Sequence, residues 1–308
     1  MKAYGRELAV TAAALIALIL LLSGALKPLE GGVFYFVTFR GYVRGLFLTL
    51  CFLWLFTSVA RLRPYREIFL FIMAFLLGFL GAELLYRSFH PKLSLLYPGS
   101  PFPIALLHMD YFTLHRLYQV IPLACMALLF FTYPPGYFAS YLKAGDWSRE
   151  TDLVGAHMAT WKKITAYFVA VLFYALAGFA VIAFLFPPPL PVLKAPFYGM
   201  TGLAPLFISL VLFSLIGAFM EESFFRGIFL PVFTRSLGAD GIIFQAFLFG
   251  AIHFDISQPL GSIGKLVLFT FLGWIWGKAT VETGGIGAGL VMHGAIIFAI
   301  QCKLYFIT

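Results

Sequence analysis

Charge is what this chain has least of. Only 11% of its 308 residues are Asp, Glu, Lys or Arg, while 62% are hydrophobic. A soluble domain carries about 25% charged residues and about 45–50% apolar ones, so one buried core cannot absorb the excess. Cysteine is also scarce. Cys51, Cys125 and Cys302 lie far apart in or beside apolar blocks, with no disulfide, zinc or redox spacing, and read as small buried hydrophobes. There is no His-Glu-x-x-His run, no repeat of fixed period and no basic stripe interleaved with aromatics. The formal charge of +8 is therefore not a nucleic-acid signal. Its Lys and Arg lie between apolar blocks, where they act as topology signals.

What is present is a series of apolar blocks near the roughly 20 residues that a helix needs to cross a bilayer. They run over 8–26, 45–60, 68–85, 117–132, 164–186, 203–230, 241–253, 266–280 and 289–306. The expected fold is all-α, a polytopic transmembrane helix bundle of about eight to nine spans. The 8–26 block follows Lys2 and Arg6 and is longer than a signal-peptide core, so it reads as a retained span.

Lys2, Arg6, Arg61, Arg63, Arg66, Lys143, Arg149, Lys162 and Lys163 fall on one side if the N-terminus is cytoplasmic; Arg40 and Arg44 oppose that count. The expected location is integral to the cell membrane. The stretch from Arg87 to Arg116 holds Pro91, Pro98, Pro101 and Pro103 and reads as an extracytoplasmic loop without a long helix. The stretch from Tyr137 to Lys163 reads either as an interfacial amphipathic helix or as a polar connector. Pro187, Pro188, Pro189 and Pro191 form a stiff break. It divides the chain into 1–190, with no assignable motif, and 191–308, which carries the chemistry.

That chemistry begins at Met220-Glu221-Glu222-Ser223-Phe224-Phe225-Arg226-Gly227, inside an apolar run. Carboxylates at membrane depth are costly and face a protein interior or a wet cavity. Glu222 and Arg226 are four apart, acid first, and can pair on one helix face. Glu221 points about 100° away, so the two acids are expected to differ in role. Both could instead simply pack around Arg226.

His253 shares a face with Phe249, and His293 interrupts another apolar run; each alone could be an ordinary buried histidine. Helix rise links them. Glu221 lies 17 residues before the Gly238-Ala239-Asp240 turn and His253 15 after Gly238, roughly 25 and 22 Å away at about 1.5 Å per residue. His293 would sit only about 10 Å from the turn at 284–287. The layers agree if the first hairpin protrudes by a couple of helical turns.

Glu221-Glu222-x-x-x-Arg226, then Phe249-x-x-x-His253, then His293 resembles the CPBP family of CAAX proteases and bacteriocin-processing proteins. The resemblance covers Leu203 to Phe306. It implies a membrane-embedded glutamic-type endopeptidase without cofactor, acting on a membrane-associated protein or peptide. It also implies Glu221 as the base that activates water, His253 as its partner and His293 as oxyanion donor. Glu222, Arg226 and Phe249 would support them. The family pattern places Asn or Asp four residues after the third-motif His; Ile297 stands there. Gln301, eight after His293, is a possible substitute. Two other readings stay open. One is a metal-dependent membrane protease using these Glu and His side chains. The other is a non-proteolytic protein in immunity, chaperoning or transport, for which Ile297 speaks.

Overall fold

The computed structural model describes residues 39–60, 62–96, 120–153, 159–185, 203–254 and 259–306. The block at 8–26 and the proline break at 187–191 lie outside them. The described residues are helical, with no β-strand and one isolated bridge between Glu150 and Thr160. The helices are α1 (Phe39–Ser58), α2 (Arg66–Leu96), α3 (Val120–Phe131), α4 (Trp161–Leu185) and α5 (Leu203–Glu222). After the π-helical segment Ser223–Phe229 come α6 (Leu230–Leu237), α7 (Gly241–Ala251), α8 (Pro259–Thr283) and α9 (Gly287–Phe306).

The continuous stretch Leu210–Ala251 is long and apolar enough to cross a membrane, and shorter apolar helices run over Gly45–Ser58, Val120–Phe131 and Gly287–Cys302. Exposed apolar side chains such as Tyr167, Val171, Phe173 and Tyr174 coat the outside of α4. Single exposed apolar residues are ordinary in a soluble protein; a helix coated with them needs an apolar surrounding.

Two expectations change. The third block extends as α2 to Leu96, through Pro91, so the first ten residues of the supposed loop after Arg87 are helical. A proline removes one backbone donor and bends a helix there without ending it. Between Tyr137 and Lys163 the described residues form no amphipathic helix before Trp161. Gly136 and Gly145 adopt φ of +80° and +79°, a left-handed conformation that breaks a helix. The backbone bonds elsewhere: Ile286 N–H donates to the carbonyls of Tyr141 and Lys143, and Asp146 N–H to Thr283. The segment is a packed cap on the turn between α8 and α9. Trp161 is fully buried, and its indole donates to Glu282 at 2.7 Å. Lys278 pairs with Asp152 and, at 2.7 Å, with Glu282.

The same cap reaches the N-terminal helices, because Tyr137 donates to Glu67 at the start of α2. Arg235 of α6 lies 3.5 Å over the Tyr137 ring. Both hairpin turns, the cap and the start of α2 thus meet at one end of the bundle, hereafter the turn end. Phe75 of α2 packs edge-on against Phe224 and Phe229, tying the N-terminal helices to the π segment in one core.

Candidate active site

The widened π segment has a sequence cause. Pro231 cannot donate to the carbonyl four residues back, and its ring clashes with it. The chain gains an extra residue instead, and Leu230 N–H bonds the Phe225 carbonyl five residues earlier. π bulges of this kind are frequent at functional sites. Glu221 and Glu222 end α5 at this change of pitch. Gly238, at φ +64°, stops α6 and lets α7 return antiparallel.

Glu222 and Arg226 form an ion pair at 2.9 Å, both fully buried. Arg226 also donates to the Gly273 carbonyl at 3.4 Å. Its guanidinium lies 4.3 Å from the Phe249 ring centroid and 5.1 Å from that of Trp276. A desolvated cation over such faces is worth about 2 kcal/mol or more, which offsets part of the cost of burying it.

His293 lies between the two acids. Its Nδ1 bonds Glu222 Oε1 at 2.8 Å, and its Nε2 faces Glu221 Oε2 at 3.6 Å. Since a carboxylate accepts, Nδ1 donates to Glu222. The imidazole stacks on Trp276, ring centroids 4.4 Å apart and planes 20° apart. Gly289, one turn before His293, makes room for this: a Cβ there would lie 2.9 Å from Glu222 Oε2.

His253 is half-buried just past α7. Its Nδ1 bonds the Phe249 carbonyl at 2.7 Å, and since a carbonyl accepts, that nitrogen carries the proton. Its ring stacks on Phe269 at 3.7 Å. Phe249, fully buried, meets both histidine rings edge-on, His253 at 4.9 Å and His293 at 5.7 Å.

Glu221, Glu222, Arg226, Phe249, His253 and His293 thus converge on one site. Gln301, the possible substitute donor, is buried. Ile297 is half-buried. Glu222 sits beside Gly289, near the start of α9. Among the described residues no group of three or more His, Cys, Asp or Glu is arranged to hold a metal ion.

Sequence reasoning missed Trp276 and Gly289. Trp276 sits in Trp274-Ile275-Trp276, which reads as ordinary membrane aromatics. Gly289 carried a faint signal: it precedes His293 by four residues and so shares its face.

Residues 201–299 match the family model described as type II CAAX prenyl endopeptidase Rce1-like. This is consistent with a CPBP-family CAAX protease. The matched part contains all six converging residues and ends before Gln301. No curated protein and no solved structure matches the chain.

Proposed function

We propose that the chain, whose residues 201–299 match CAAX-type endopeptidases, is an intramembrane glutamic endopeptidase. Its substrate is a membrane-associated protein or peptide. One observation carries the reading: His293 holds two buried carboxylates around one imidazole, at 2.8 and 3.6 Å. Glu222 is already occupied by Arg226 and His293, so it serves to position. Glu221 acts as the base in this reading. It takes a proton from water as the water oxygen bonds to the scissile carbonyl carbon. His253, fixed through Nδ1, assists with Nε2. The proton passes to the leaving amine as the C–N bond breaks. His293, when Nε2 also carries a proton, donates to the oxyanion. A donor aimed at charge that develops in the transition state is among the strongest catalytic devices.

Residues 1–190 serve as scaffold and as walls for substrate entry, and 191–308 as the catalytic core. The turn end is cytoplasmic in this reading, because Arg63, Arg66, Lys143, Arg149 and Lys278 gather there. The test is cleavage of membrane-tethered peptides in liposomes by the unaltered protein and by Glu221→Gln. Equal cleavage by the two would overturn the assignment.

A further inference from the structure

Gln245 belongs to none of the motifs. It is fully buried on α7, one helical turn before Phe249 and about 6 Å along the helix from Gly241. Neither its amide oxygen nor its amide nitrogen has a hydrogen-bond partner among the described residues. Helices α7 and α8 run antiparallel here, with Gly273 against Ala246 and Gly277 against Ile242 and Gln245. A Cβ at Gly277 would lie 2.9 Å from Gln245 Oε1, so the amide rests on bare α8 backbone beside Trp276.

Three more buried atoms are likewise without partner among the described residues: Trp276 Nε1, Arg226 Nε and Glu222 Oε2. Trp276 stacks on His293, Glu222 bonds it, and Arg226 pairs with Glu222. Donors and acceptors are both present. Gln245 Nε2, the indole and the guanidinium donate; Gln245 Oε1 and Glu222 Oε2 accept. Each such group costs about 1–3 kcal/mol if left unmade in a dry interior. Five of them on four buried side chains call for partners. Buried water commonly makes two to four bonds to groups of this kind.

We propose that Gln245 anchors a resident water site between α7 and α8, and that this water bonds the Trp276 indole. The water fixes the plane of Trp276, and through the stack fixes His293 between Glu222 and Glu221. Gln245 is then a positioning residue: it touches neither substrate nor reacting atoms. The water site stands on the geometry alone; its effect on catalysis rests on the proteolytic reading.

The test uses full-length protein with 15N-labelled tryptophan in detergent micelles. Trp276→Phe identifies the indole signal. The expected result is magnetisation transfer between water and the Trp276 indole N–H, lost in Gln245→Met and retained in Gln245→Asn. Met is close in volume and has no amide. An assigned Trp276 signal with no water transfer in the unaltered protein overturns the proposal, as does equal transfer in Gln245→Met. If Gln245→Met does not fold, a high-resolution structure of the unaltered protein decides: ordered water bonded to the Gln245 amide supports the site, and a dry amide overturns it. In cleavage assays Gln245→Met should lower kcat about tenfold with KM unchanged, and Gln245→Asn should restore much of it. Water transfer without cleavage in any variant would leave the water site standing and count against the protease.

Discussion

Trp276 lies almost flat on His293, 4.4 Å between ring centroids, and the same indole lies under Arg226 at 5.1 Å. One aromatic side chain therefore positions both the cation and the histidine that bind Glu222. Both acids meet His293, through different nitrogens, and Glu222 also pairs with Arg226.

The two acids should separate in experiment. Glu221→Gln keeps the shape of the side chain but cannot take a proton. It should lower cleavage by about 10²–10⁴, with melting temperature and membrane insertion unchanged. The rate is read in liposomes and the melting in detergent. Residual activity near the unaltered level would assign the base elsewhere.

Glu222→Ala and Arg226→Ala should act on stability first. Each leaves a fully buried charge unpaired, at about 3–5 kcal/mol. The expectation is a marked drop in melting temperature and yield for both. Equal melting of both variants and the parent would count against a structural ion pair.

Gly289→Ala inserts a methyl 2.9 Å from Glu222 Oε2. The carboxylate must move, because Trp276 Cβ stands 3.4 Å from the same methyl. Overpacking of this kind costs about 1–3 kcal/mol, and the Glu222–His293 bond should lengthen. The His293 imidazole signals in NMR should shift more than those of His253; an unchanged His293 spectrum would show that the site tolerates the methyl.

Ile297→Asn should place a donor one turn after His293. Ile297 stands where the resemblance drawn from the sequence expects Asn or Asp. An added oxyanion donor is worth up to about 10²–10³ in rate, seen in single-turnover cleavage because it acts on the transition state. An unchanged rate in a folded variant would mean that another group already fills the role. No cleavage of any native membrane substrate by either protein would favour a non-proteolytic role.

Much of this was legible in the chain itself. Block length and the scarcity of charge predicted helices, because a bilayer leaves backbone polar groups only internal partners; among the described residues the fold is helical, and one stretch is long and apolar enough to cross a membrane. The cost of buried charge singled out Glu221, Glu222 and Arg226, and their spacing alone predicted the pair at 2.9 Å. The two histidines and Phe249 stood out as polar or periodic exceptions in apolar runs. The cap from Tyr137 to Trp161 was not legible, since its bonds go to a turn more than a hundred residues away rather than along the segment. The same holds for Trp276, one aromatic among many until α8 turns it onto His293. Local composition and period determined which segments are helices and which residues carry charge. Only tertiary packing decided which nitrogen of His293 meets which carboxylate, because that depends on the relative placement of α5, α8 and α9, which no spacing within one helix contains.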